Sequence, residues 1–227
     1  MCYYVNEVEK MIEKLLEMIN SSFPLTEKDC GEFAKKKISG MDFNTKTYHA
    51  EGLGTVSTMC ATGLMGLMKM DTLIVNPFNQ DAPLLSYDRI HVLGNDKLYL
   101  ESFDTTLNHQ FDDSSLVEII KQASSISDMP QKPHWYDNLR MPATAFKQAK
   151  KKQSDQIDQM VENYYKQFIV LLKNAEKCDE DEKRKAAAVY SDGLIEHGGP
   201  STDAWLKAVG PEKTGEFFRK VLFGTDK

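Results

Sequence analysis

Asp81-Ala-Pro-Leu-Leu-Ser-Tyr-Asp-Arg-Ile-His-Val-Leu-Gly-Asn-Asp-Lys-Leu-Tyr-Leu-Glu-Ser-Phe-Asp104 decides the fold reading. Two segments rich in Leu, Ile, Val, Tyr and Phe, 83–93 and 97–104, flank Gly94-Asn95-Asp96, a short hairpin loop, so the two strands pair antiparallel. Successive side chains of a strand point to opposite faces. Leu84, Ser86, Asp88, Ile90 and Val92 therefore share a face of the first strand, and in the second Leu98, Leu100 and Ser102 oppose Tyr99, Glu101 and Phe103. Asp88 stands among apolar neighbours on its face. A carboxylate there is costly unless hydrogen-bonded and its pKa rises; a carboxyl still protonated near neutrality can deliver a proton. The position also suits a sheet-edge Asp bonded to backbone or to Arg89.

Strand character extends from about 42 to 106, with candidate strands at 44–50, 53–61 and 71–76 separated by Gly, Asn, Asp and Pro. Helical spacing flanks this block. Val5, Val8, Met11, Ile12, Leu15, Leu16 and Ile19 predict an amphipathic helix over 5–20, and Thr26-Glu-Lys-Asp29 reads as the capped start of a shorter helix fading near Ser39-Gly40. Downstream, Ser115-Leu-Val-Glu118 opens a helix to about Ala123, and apolar stripes predict helices over 154–175 and 180–196, the latter ended by His197-Gly-Gly-Pro200. Two short helices, 201–209 and 211–223, follow, the second opened by Gly210-Pro211. This order predicts one α+β domain over 1–227: N-terminal helices in 1–40, an antiparallel sheet in 42–106 and C-terminal helices in 113–223.

With 227 residues, 41% hydrophobic and 27% charged, the chain has the makeup of a globular domain with a real core, which excludes disordered and fibrous classes. No apolar run approaches a membrane span and acids occupy the start, so neither membrane partner nor leader is expected and the location reads as cytoplasmic. A net charge of -6 argues against a nucleic-acid partner. Cys2, Cys30, Cys60 and Cys178 lack metal-ligand spacing and read as free thiols, and no metal site is expected. Phosphate-binding loops and the nucleophile elbow are also missing, so no usual nucleotide cofactor is expected. Arg140, Lys147, Lys150, Lys151 and Lys152 lie in a segment without acids between 138 and 154, suited to an acidic protein or a carboxylate ligand, or equally to a solvated helix start or loop.

Asp81-Ala-Pro-Leu-Leu-Ser-Tyr-Asp88, followed by the hairpin ending in Phe103-Asp104, resembles the core of the ferredoxin-dependent bilin reductases and their relative red chlorophyll catabolite reductase. That family carries D-L-P-x-x-G-x-D after a strand ending in F-P, a place taken here by Ile74-Val-Asn-Pro77, then a hairpin strand ending in Asp. The Pro130–Trp135 region is similar to the family's L-P-x-W-G segment. Trp205-Leu-Lys-Ala-Val-Gly-Pro-Glu212 and Phe217-Phe-Arg-Lys-Val-Leu-Phe223 resemble its closing motif.

The resemblance implies a single-domain, three-layer α/β/α arrangement, an antiparallel sheet sandwiched between helices, with a linear tetrapyrrole bound between the sheet and the C-terminal helices. It implies no cofactor bound by the protein itself; electrons would arrive singly from an acidic ferredoxin or flavodoxin, with the 140–152 segment as docking surface or propionate grip. Asp88 falls on the family's catalytic aspartate. A partner histidine would fall near Asp71 or Thr72 and an upstream glutamate near Met59 or Cys60, and neither is present. The motif before the closing helices is replaced by His197-Gly-Gly-Pro200-Ser-Thr, where His197 is a substitute proton donor or a helix cap. Asn76, Phe78, Asp104, Trp135 and Arg140 are the implied substrate contacts. Two other readings stay open: a protein of this fold that binds haem or bilin without reducing it, with Met65, Met68 and Met70 as pocket walls, and an interaction protein without a small ligand.

Overall fold

The computed structural model describes residues 7–199 and 201–227; Cys2, Val5 and Pro200, and the side chains of Val8 and Lys152, lie outside the described residues. In chain order the elements are α1 (Glu7–Asn20), β1 (Leu25–Lys28), β2 (Lys35–Ile38), β3 (Met41–Ala50), β4 (Gly54–Gly63), β5 (Met68–Pro77), β6 (Leu84–Val92), β7 (Asn95–Phe103), α2 (Ser114–Gln122), β8 (Ser127–Asp128), β9 (Ala145–Lys150), α3 (Ser154–Asn174), α4 (Glu180–His197) and α5 (Thr202–Glu216). A π-helical turn, Phe217–Leu222, continues α5.

The strands form one nine-stranded antiparallel sheet in the order β1-β3-β4-β5-β6-β7-β9-β8, with β2 on the half of the β3 edge that β1 leaves open. Strands β3 to β7 run as a meander, which short hairpin links impose. Helices cover both faces, as expected. On one side Met11, Ile12, Leu15 and Ile19 of α1, Leu116 of α2 and the Ile157-to-Leu172 stripe of α3 bury Val56, Leu73, Val75, Leu85, Leu98 and Leu100. Tyr190 and Leu194 of α4, Trp205 of α5 and Phe217, Phe218 and Leu222 pack on Phe43, Met59, Ile74, Leu84 and Phe103 on the other. Each such buried side chain contributes about 1.5–3 kcal/mol. Trp205 stacks on Phe217 at 3.8 Å between ring centroids, and Tyr190 on Phe103 at 4.0 Å.

Several expectations are corrected. The helix expected from Thr26 to Ser39 is replaced by β1, a single 3-10 turn and β2. Asp29 accepts a hydrogen bond from the Gly31 amide at 2.8 Å, an Asx turn rather than a helix cap, and the open β3 edge recruits both flanking segments. Residues 145–150, read as helix start or loop, pair with the otherwise open β7 edge. The hairpin turn is Leu93-Gly94, both residues at left-handed φ (49° and 75°), so Val92 pairs with Asn95. The break at Gly210-Pro211 stands as a kink inside α5, with Gly210 at φ 82°. Cys30, Cys60 and Cys178 stand outside any disulfide.

The chain end is bound to the sheet by three polar side chains on adjacent strands. Thr47, Ser57 and Asn76 donate to the carbonyls of Val221, Leu222 and Phe223 at 2.5, 2.5 and 2.8 Å. These carbonyls lack helical partners, so the sheet caps the terminal helix. Gly54 must be glycine for β4 to lie this close: a Cβ there would stand 2.3 Å from the Asn76 carbonyl oxygen.

Lys183 of α4 is fully buried and donates to the Thr105 carbonyl and hydroxyl at 2.6 and 2.9 Å. Burial depresses its pKa to about 8. The unfolded chain keeps that proton until about pH 10, so between about 8 and 10 it binds more protons than the native state and native stability rises with pH. The rise is on the order of 3 kcal/mol and is expected to vanish in Lys183→Met. Urea midpoints across that range check this; an equal rise in the variant removes Lys183 as the cause.

Candidate functional site

Between the sheet and the C-terminal helices lies a cleft of about 370 Å³, within the range of small-molecule sites. Its floor is the face of β4–β7 that carries Met59, Met70, Thr72, Ile74, Ser86, Asp88, Ile90, Tyr99 and Glu101. Tyr190 and Leu194 of α4, Thr202 of α5 and Phe218, Leu222 and Phe223 form the roof, and Pro130, Lys132, His134 and Tyr136 stand at one side. The floor is built by register: Thr72 pairs with Asp88 and Asp88 with Tyr99, while Ile74 pairs with Ser86 and Ser86 with Glu101. Asp88 and Glu101 are thus diagonal cross-strand neighbours on one face, within reach of a shared ligand.

Asp88 accepts hydrogen bonds from Thr72 Oγ1 and, at 3.0 Å, from Ser86 Oγ. Both stabilise the carboxylate, yet burial outweighs them and raises its pKa. Desolvation lifts Glu101 to about 7 against the pull of Arg140, whose Nε and guanidinium lie 2.8 and 2.7 Å from its Oε1. Arg140 is itself held by Asp137 and lies over the Tyr136 and Phe146 rings. Burial also raises Tyr99, Tyr136 (to about 12) and Tyr190, so these phenols stay neutral hydrogen-bond donors. Two carboxyls with raised pKa, Glu101 lifted to about 7, on an apolar and aromatic wall can give protons to a molecule bound there.

The sequence candidates divide. Asp88 lies in the cleft beside Ile90 of its own strand face and the Thr72 and Ser86 hydroxyls; Arg89 points to the opposite face, where Asp96 grips it at 2.6 Å and Asp158 also binds it. Thr72, one of the two positions near which the resembled family's histidine would fall, is bonded to Asp88. Arg140 reaches the cleft through Glu101. Trp135 stands behind the wall, its indole donating to the Gly198 carbonyl at 3.0 Å, and its ring lies so close to Gly193 that a Cβ there would meet it at 2.1 Å. His197 is half-exposed beside Trp135, outside the cleft lining. Asn76 caps the terminal helix, Phe78 is buried under the Arg184 guanidinium at 4.0 Å, and Asp104 turns to Thr106 and His109. Of the three methionines, Met70 lines the cleft, Met68 does not, and Met65 is fully exposed.

Glu101, Tyr136 and Tyr190 were not singled out from sequence. For Glu101 the signal existed: a two-residue Leu93-Gly94 turn sets the register that faces it to Ser86. The basic segment also divides. Arg140 and Lys147 are turned inward, the latter 2.7 Å from Asp128, so only its C-terminal lysines face outward as a group, with Lys150 and Lys151 exposed.

The molecule is therefore an antiparallel sheet under a helical roof with an acid-floored cleft between them. No protein-family model and no curated protein matches the chain. Among solved structures it is similar to phytochromobilin synthase from tomato, crystallised in complex with biliverdin, with a TM-score of 0.80 over 96% of this chain and 83% of that one at 12% sequence identity. That likeness shows the fold. Among the described residues, no helix is long and apolar enough to cross a membrane and no cluster of His, Cys, Asp or Glu is arranged to hold a metal ion.

Proposed function

We propose that this chain is a bilin-reductase-like oxidoreductase that binds a linear tetrapyrrole in the cleft and protonates it during one-electron reductions. The observation that carries this reading is the Asp88–Glu101 pair, two carboxyls with raised pKa on the floor of an apolar cleft. The shared fold with a protein crystallised with biliverdin supports the ligand class. Saturating one double bond takes two electrons and two protons. The electrons come singly from a redox protein, a ferredoxin or flavodoxin, and each proton comes from a cleft carboxyl as reduction raises the basicity of the ligand. Asp88 and Glu101 supply one proton each and recover them from solvent between turnovers. Lys132, with the His134 ring beside it as a hydrogen-bonding group, is open to the ligand's carboxylates, because Arg140 is occupied by Glu101 and Asp137.

Adding biliverdin is expected to give a saturable shift of its visible spectrum, and anaerobic addition of reduced ferredoxin is expected to bleach and replace that band. A shift without turnover would make this a binding protein of the same fold. No shift at all removes the tetrapyrrole.

A further inference from the structure

Seven large hydrophobic side chains are exposed among the described residues, and four of them sit at one pole of the sheet: Leu64 (59%), Met65 (102%), Leu67 (59%) and Leu93 (71%). They occupy two hairpin tips, 64–67 between β4 and β5 and 93–94 between β6 and β7. The register places the tips side by side, since Gly63 pairs with Met68, Met68 with Val92 and Val92 with Asn95, and Leu67 and Leu93 line one depression. Leu64, Met65 and Leu93 stand at left-handed φ (50°, 53° and 49°), where Asn or Gly would be less strained. Neither folding nor turn chemistry calls for large apolar residues here.

Basic residues surround the tips. Lys69 and Lys151 line the same depression, and the Lys151 amide donates to the Gly94 carbonyl at 3.1 Å, while Lys150 pairs in register with Asn95. No carboxylate is ion-paired to these three lysines among the described residues. The acids nearby are exposed Asp155 and the Asp96 and Asp158 carboxylates that hold Arg89. A chain of net charge -6 thus carries positive charge around its most apolar pole.

We propose that this pole is a peripheral docking surface for an anionic lipid bilayer, with the two tips entering the headgroup layer and the lysines meeting lipid phosphates and carboxylates. Charge complementarity supplies the long-range attraction and the aliphatic tips the anchorage. The composition favours lipid over protein. Protein interfaces enrich aromatic residues, Met and arginine and deplete lysine, whereas this pole has no aromatic residue and no exposed arginine and gathers lysines around two narrow, mostly Leu projections. Such a contact needs no membrane-spanning helix.

The test is co-sedimentation of the full chain with vesicles of phosphatidylcholine alone or with about one third phosphatidylserine. Binding is expected to the anionic vesicles and to fall at least about tenfold in roughly 0.5 M salt. Two variants, Met65→Asn with Leu93→Asn and Lys150→Glu with Lys151→Glu, are each expected to weaken it about tenfold while keeping the native thermal transition, since Asn suits both left-handed positions. No vesicle binding, or binding unchanged in both variants, overturns the proposal. So does a tip-dependent dimer in sedimentation velocity, or capture of an acidic ferredoxin in place of vesicles; either would assign the pole to a protein.

Discussion

Asp88→Asn is expected to bind a bilin as the native chain does and to stall after the first electron, leaving a long-lived ligand radical and a turnover rate lower by at least about 100-fold. Asn has the same shape and can keep both hydroxyl contacts, from Thr72 and Ser86, so the cleft is retained. What it lacks is a transferable proton. The stability effect runs the other way. A carboxyl whose folded pKa is raised keeps the native state at full strength below its unfolded value and weakens it as pH climbs through the folded value. The melting temperature of the Asn variant is therefore expected to gain on that of the native chain as pH rises. Anaerobic electron paramagnetic resonance with reduced ferredoxin reads the radical, and a thermal melt reads the fold. Native turnover by the variant would remove Asp88 as donor; a collapsed melt would instead mean that its hydrogen bonds are structural.

Glu101→Gln carries the second large effect, and its signature is a pH profile. Glu101 titrates near 7, so the native rate is expected to fall above about pH 7 as this donor ionises, close to tenfold for each further unit. In the Gln variant the limb is lost and the rate is low throughout, by about 10- to 100-fold. Arg140 sharpens the test: its attraction holds the carboxyl down against burial, so Arg140→Gln is expected to move the limb to higher pH. The Asp88 charge also raises Glu101, so the limb reflects both carboxyls. A limb unchanged in both variants assigns it to another group. Because the two carboxyls serve successive protons, the radical seen with Asp88→Asn and the limb lost with Glu101→Gln are separate readouts of one mechanism.

Helices with a continuous apolar stripe were legible: α1, α3 and α4 lie close to where the spacing of Leu, Ile, Met and Tyr predicts them. So were the meander strands, whose alternation survives any helix that later covers them. The segments that failed are those whose conformation is imposed from outside. Lys35-Lys36-Lys37-Ile38 and Ala145–Lys150 have little strand propensity and become strands because β3 and β7 offer unpaired backbone donors and acceptors. Lys147 read as a surface base for the same reason; burial beside Asp128 is a property of the β8–β9 pair.

The sequence by itself determined the α+β class, the antiparallel pairing of β6 with β7 and the face of β6 on which Asp88 stands, because these follow from periodicities of two and of 3.6 residues and from a short hairpin link. Only the tertiary structure decided that Arg140 and Trp135 act from behind the wall, that Lys147 turns inward, and that two apolar tips share one pole with Lys150 and Lys151. Those facts depend on strand register and on which edge finds a partner. A one-residue change of register sends a side chain to the opposite face, and the distant residues that fix it, from 95 to 150, meet only once the sheet has closed.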